Sequence, residues 1–242
     1  MGDRQRGLLG LIAQTMGKTA IIFDFDGVIA DSEVLANTVL AEKLSGLGLP
    51  TTLDDALDRY QGRRQAEVEA LITAGLGGTL PAGFSDELKR ATLMRLATDL
   101  VEVPGATVFI RSLTGFRTCI ASSSSVERLG VCLEALGLTD DFRGRVFSAE
   151  MVRRGKPHPD IFLHAAAELG VAPSQCIVIE DSPSGVQAGV AAGMTVIGLC
   201  AASHIRAGHA DLLMRAGAAF VARSWGEVSA NVLERVRAGW PR

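Results

Sequence analysis

Ala20-Ile21-Ile22-Phe23-Asp24-Phe25-Asp26-Gly27 sets four apolar residues in a row ahead of two acids and a glycine. An unbroken apolar run of this length reads as a strand buried on both faces, the condition of a parallel sheet. Similar runs follow at Thr118–Ala121, Cys176–Ile179 and Thr195–Leu199, with a weaker fifth at Ala218–Val221. Helical patterns lie between them at Val126–Leu136, Pro159–Leu169, Ser184–Ala192 and His209–Ala216, and Trp225–Arg237 reads as a final amphipathic helix. Strands alternating with helices predict an α/β fold built on a Rossmann-like parallel sheet core.

One stretch breaks the alternation. From about Val34 to Val101 no buried strand is legible, and helical segments appear instead at Val34–Leu47, Leu53–Tyr60, Gln65–Thr73 and Ser85–Leu100. Asp31 or Ser32 is placed to N-cap the first of them. Pro104-Gly105 punctuates the return to the sheet. An insertion at this point sits over the carboxyl edge of the first strand, where open α/β sheets bind ligands. The expected organisation is an N-terminal extension over 1–17, an α/β core over 18–33 and 104–242, and a helical cap over 34–103.

The chain has 242 residues, 48% of them apolar, enough for a sizeable core. Its 24 Lys plus Arg against 27 Asp plus Glu give a net charge of −3. That balance argues against nucleic-acid binding and against a polybasic membrane patch. Cys119, Cys132, Cys176 and Cys200 are spaced by 13, 44 and 24 residues, which fits no zinc pattern. They read as reduced core cysteines of a cytoplasmic protein. Leu8–Ala13 is too short for a secretory core. Ser182–Ile205 carries no charge over 24 positions, but its Pro183, Gln187, His204 and four glycines argue against a membrane span. It reads as a turn, a short helix ending at Gly193 and then a strand.

The chemistry-bearing residues lie where strands end. Asp24 and Asp26 follow the first strand, Ser122 follows Thr118–Ala121, Glu180-Asp181 follow Cys176–Ile179, and Lys156 sits in the polar loop Gly155–Asp160. Each alone is an ordinary turn or cap residue. Together, on neighbouring strands, they put four carboxylates on one rim, and that crowding demands a cation. Hard oxygen ligands suit Mg²⁺, which accepts a substrate phosphate beside them.

Asp24-Phe-Asp-Gly-Val-Ile-Ala-Asp-Ser32 resembles the first motif of the haloacid dehalogenase superfamily of phosphotransferases. Ser122 matches the second motif, Lys156 the third and Glu180-Asp181 the fourth. Glu180-Asp-Ser-Pro-Ser-Gly-Val-Gln-Ala-Gly189 resembles the branch of beta-phosphoglucomutase and the sugar phosphatases. The resemblance runs from about Thr19 to Val228.

It implies that Asp24 attacks phosphorus and forms an aspartyl phosphate, with Asp26 as general acid and then base. It implies Mg²⁺ held by the Asp24 carboxylate, the Asp26 carbonyl and Asp181, with Glu180 direct or through water. Ser122, Ser123 and the amides near Gly27 would hold phosphate oxygens, and Lys156 would supply positive charge. Asp26 is present where the dehalogenases lack an acid, which disfavours dehalogenation. The cap histidine of beta-phosphoglucomutase falls by counting on Ala36. Arg63 and Arg64 follow a glycine turn in the cap and are candidates for contact with an anionic substrate.

The expected activity is therefore Mg²⁺-dependent hydrolysis of a small phosphorylated metabolite, a sugar phosphate, by a monomer or weak dimer. The alternatives are a phosphosugar mutase and a non-catalytic binding protein on the same fold.

Overall fold

The computed structural model describes residues 19–60 and 65–239. Among them, β1 (Ala20–Phe23), β2 (Arg117–Ser122), β3 (Val146–Ser148), β4 (Cys176–Glu180), β5 (Thr195–Leu199) and β6 (Phe220–Ala222) form one sheet. Its order is β3-β2-β1-β4-β5-β6, and every neighbouring pair is parallel. The direction of winding reverses at β1, and the crevice at such a reversal is where open α/β sheets take ligands.

β1 lies at the centre because its sequence buries both faces. Ile21 and Phe23 join the core on one side of the sheet, and Ala20 and Ile22 join the core on the other. β4 divides in the same way, with Ile177 and Ile179 against Cys176 and Val178. The first face is covered by α5 (Ala106–Ser112), α6 (Val126–Ala135) and α10 (Trp225–Arg237). The second is covered by α7 (Asp160–Leu169), α8 (Pro183–Ala191) and α9 (His209–Ala216). Phe23 is the hub of the first layer: Phe109, Phe142 and Trp225 lie 6.2, 5.9 and 5.9 Å from it, centroid to centroid. Truncating such a residue to alanine costs about 3–5 kcal/mol.

Between β1 and α5 the chain forms α1 (Glu33–Gly46), α2 (Leu53–Tyr60), α3 (Gln65–Leu76) and α4 (Phe84–Asp99). This insert has a small core of its own, with Leu40 and Leu44 of α1, Ala56 and Tyr60 of α2, Ile72 of α3 and Phe84 of α4. Leu96, near the end of α4, instead joins the core beside the sheet.

The sequence reading differs from the structure in four places. β3 was not anticipated, because three residues on a sheet edge are too few to show a period. The seven-residue α5 was missed for the same reason. The last strand is Phe220–Ala222, shifted toward the C-terminus from the expected Ala218–Val221. Neither Asp31 nor Ser32 caps α1 through its side chain: Ser32 stands at the N-cap position with its hydroxyl turned to Asp26, and Asp31 accepts from Ser203. The uncharged stretch after Asp181 forms α8, a turn at Gly193 and β5. Among the described residues no helix is long and apolar enough to cross a membrane. Cys119, Cys132 and Cys176 are buried free thiols, and burial pushes Cys132 and Cys176 up to about 12.

Candidate active site

Parallel strands deliver their terminal residues to one edge. Asp24 is the first residue beyond β1, and its N–H donates to Ile179 O of β4 at 2.9 Å, which fixes its backbone to the neighbouring strand. Ser122 closes β2 and Glu180 closes β4. With Asp181, Lys156 and Asp26 they line a cavity of about 550 Å³ at this edge.

Lys156 is the most deeply buried of the cations that line it. Its side chain is 4% exposed, and Nζ donates to Asp24 Oδ1 at 2.8 Å and to Glu180 Oε1 at 2.7 Å. Burial disfavours the ammonium, but Asp24 and Glu180 outweigh that and hold its pKa above the usual lysine value. The other Glu180 oxygen accepts from Ser182 N at 2.6 Å and Ser182 Oγ at 3.0 Å. Both oxygens of Glu180 are therefore occupied by the protein.

Asp24, Glu180 and Asp181 each offer an oxygen within 4.8 Å of the others, and all three are buried. Burial pushes the Asp24 carboxyl well up; Lys156 pulls it down, and Glu180 and Asp181 push it up again. Burial and then Glu180 do the same to Asp181. One ammonium among three buried carboxylates leaves excess negative charge, and a hard divalent cation fits that donor set.

Asp26 differs from the expected cluster of four acids. Its carboxylate is not part of the close group formed by the other three and is held by donors. Oδ1 accepts from Ser32 Oγ and from Arg128 Nη2 at 2.7 Å, and Oδ2 accepts from Ser124 Oγ at 2.5 Å. Burial raises its pKa, but Arg128 and the two hydroxyls more than reverse that, so it lies below the usual carboxylate value. Three donors on two oxygens describe an ionised group at rest.

Gly27 follows with φ +76°, a left-handed conformation that favours glycine. A Cβ there would lie 1.9 Å from Asp181 Oδ2 and 2.9 Å from His204 Cε1. Gly185 has a matching role under Glu180, where a Cβ would lie 1.6 Å from Oε1. These two glycines let the backbone approach the acids. Ser122 is 1% exposed and Ser123 is at the cavity wall, while Ser125 caps α6 by accepting from Arg128 N at 3.3 Å. The N-terminus of α6 thus opens beside Ser122, a favourable setting for an anion. Arg63 and Arg64 lie outside the described residues.

Sequence reasoning missed the charged and imidazole side chains Glu33, Arg128, His204, Arg206 and His209 of the cavity wall. Arg128 carried a signal, since it stands one turn into the helix that the Ser122–Ser125 run starts. The other four come from the entrance to the insert and from the segment after β5, whose paths no motif marks.

The profile of the haloacid dehalogenase-like hydrolases matches residues 18–193. The chain belongs to this family. Hexitol phosphatase A of Escherichia coli is 37% identical, over 80% of this chain and 88% of that protein. Beta-phosphoglucomutase of Bacillus subtilis is 32% identical, over 74% and 82%. The crystal structure of a haloacid dehalogenase-like protein of unknown function from Agrobacterium tumefaciens superposes with a TM-score of 0.80 at 36% identity, covering 89% of this chain and 98% of that one.

Proposed function

We propose that the protein is a Mg²⁺-dependent phosphatase of a small phosphorylated metabolite, a sugar or sugar-alcohol phosphate. The observation that carries the reading is Asp24, buried at the sheet edge with Oδ1 held by Lys156 and a carboxylate oxygen within 4.8 Å of oxygens of Glu180 and Asp181. A carboxylate anchored in this way is a fixed nucleophile rather than a solvated turn residue. The kinship with hexitol phosphatase A supports the substrate class.

In this reading Asp24 Oδ2 attacks phosphorus while Lys156 orients Oδ1, and an aspartyl phosphate forms. The hydroxyl of Ser122, the Ser123 region and the backbone at Gly27 hold the phosphoryl oxygens. Asp26 leaves Arg128 and takes up a proton from solvent, gives that proton to the departing alcohol oxygen and later takes one from the attacking water. Mg²⁺, when bound, offsets the repulsion between carboxylate and phosphate. Asp24, Asp181 and the Asp26 carbonyl would hold it, with Glu180 acting through water because Lys156 and Ser182 already occupy its oxygens. The helical insert acts as the cap, and Arg63 and Arg64 remain candidates there for reaching the substrate. The free buried cysteines agree with a cytoplasmic setting, and the working assembly is a monomer or weak dimer.

The test is inorganic phosphate release from a panel of sugar and polyol phosphates, with Mg²⁺ and with chelator. Metal-dependent release with a preferred polyol or sugar phosphate is expected. No release from any ester would contradict the proposal. Conversion of a hexose 1-phosphate to its 6-phosphate, primed by a bisphosphate and with negligible phosphate release, would favour the mutase instead.

A further inference from the structure

The segment Ala201–Gly208, between β5 and α9, is tied to the rest of the molecule at several points. Ser203 donates to Asp31 from its hydroxyl at 2.8 Å and from its amide at 3.2 Å. Arg206 reaches into the insert and donates to Asp58 and Asp54 of α2, each at 2.7 Å. His204 of this segment and His209, the first residue of α9, both meet Asp181. His209 Nε2 lies 2.6 Å from the Asp181 carbonyl oxygen, and His204 Nε2 lies 3.2 Å from Asp181 Oδ2.

His204 is the less ordinary of the two. Its side chain is 4% exposed, and its Nδ1 has no hydrogen-bond partner among the described residues. A buried imidazole without a partner at one nitrogen is costly, so the contact at the other nitrogen has to justify the position. Room for the ring exists because residue 27 is glycine: a Cβ there would press on both His204 Cε1 and Asp181 Oδ2. Carboxylates that hold a metal are themselves oriented by outer partners, and loss of such a partner typically weakens metal affinity 10–100-fold.

We infer that His204 and His209 are positioning residues that hold Asp181, His204 at the carboxylate and His209 at the carbonyl, in the pose that takes the cation. The inference rests on the metal assignment above but not on which ester is hydrolysed. The side-chain contact makes His204 the stronger test. A ring without nitrogen, as in His204→Phe, keeps the volume and removes the contact. His204→Gln puts back an N–H that can reach Oδ2.

The experiment is calorimetric titration of the substrate-free protein with Mg²⁺ alone, beside thermal melts in chelator. Wild type is expected to bind, His204→Phe to bind about 10–100-fold more weakly, and His204→Gln to recover most of the loss. His209→Phe should fall between wild type and His204→Phe. All metal-free melts should stay close to wild type. Unchanged Mg²⁺ affinity in His204→Phe would overturn the inference and leave the phosphatase reading intact. Equal losses in the Phe and Gln variants, accompanied by lower melts, would also overturn it, as a packing effect. If wild type fails to bind Mg²⁺, this inference and the metal assignment fall together, whatever the phosphate-release panel shows.

Discussion

The two sides of the cavity are built from different materials. On the sheet side, Lys156, Asp24 and Glu180 have side chains no more than 10% exposed, and each is set by a strand end or a loop packed under it. On the insert side, Arg206 is 48% exposed, and its partners Asp54 and Asp58 are 85% and 65% exposed. Charge interactions act over a low dielectric in the first region and through water in the second. The sheet side is therefore a fixed electrostatic device. At Arg206 the insert side is held by exposed ion pairs, which are weak enough to break and re-form.

Removing a charge from the fixed side should have the largest effect. Lys156→Met leaves Asp24 and Glu180 buried without their counter-charge. Breaking a buried pair in this way costs about 3–5 kcal/mol, and kcat/KM for phosphate release should fall by roughly a thousandfold. Urea melts and steady-state kinetics check both. Retention of more than a tenth of the activity would mean that the rim is less dry than its burial indicates.

Asp181→Asn is expected to come next and to separate stability from function. Burial and Glu180 raise the folded Asp181 carboxyl above its unfolded value. Such a group binds more protons folded than unfolded, so stability is lost as pH rises through that window and stays reduced above it. In chelator at neutral pH, Asp181→Asn should therefore melt higher than wild type. Its Mg²⁺ requirement should rise by at least tenfold. A lower melting temperature in chelator would show that Asp181 is stabilised by partners rather than strained by neighbours.

Arg128→Gln probes the join between the two regions, since Arg128 holds Asp26 from α6. It should lower kcat on alkyl phosphates by about 10–100-fold and on an aryl phosphate with a good leaving group much less. Aryl leaving groups need little protonation. Equal losses on both would place Arg128 on the phosphate rather than on Asp26.

Arg206→Ala should do least. Exposed pairs contribute little, so the melting temperature should stay within about 2 °C of wild type. KM for the native ester should rise only a few-fold, and 0.5 M salt should reproduce that rise in wild type while leaving the variant unchanged. A large fall in kcat would move Arg206 into the fixed region.

The same contrast explains what the sequence revealed. β1, β2, β4 and β5 are buried on both faces, so their apolar runs are continuous, and Asp24, Ser122, Glu180 and Asp181 at the ends of β1, β2 and β4 line one cavity. Lys156 could be paired with Asp24 only through a motif, because 132 residues separate them. The orientation of Asp26 was not legible, since it depends on Arg128 102 residues away rather than on a neighbour. β3 and α5 were missed because each is too short to show a period. The insert's helices were recognised, but their faces toward the cavity depend on how four short helices lie over the sheet. His204 reads from sequence as a loop residue and His209 as the start of a helix, and only the path of the chain after β5 brings both beside Asp181.

In the proposed reaction Asp24 becomes phosphorylated and water then releases the phosphate. The direct measurement is rapid acid quench during turnover of a ³²P-labelled hexitol phosphate in Mg²⁺, followed by peptide mapping. Hydroxylamine-labile label on the peptide containing Asp24, absent from Asp24→Asn protein that still folds, is the predicted result. Label on another residue, or wild-type phosphate release by pure Asp24→Asn protein, would contradict the account.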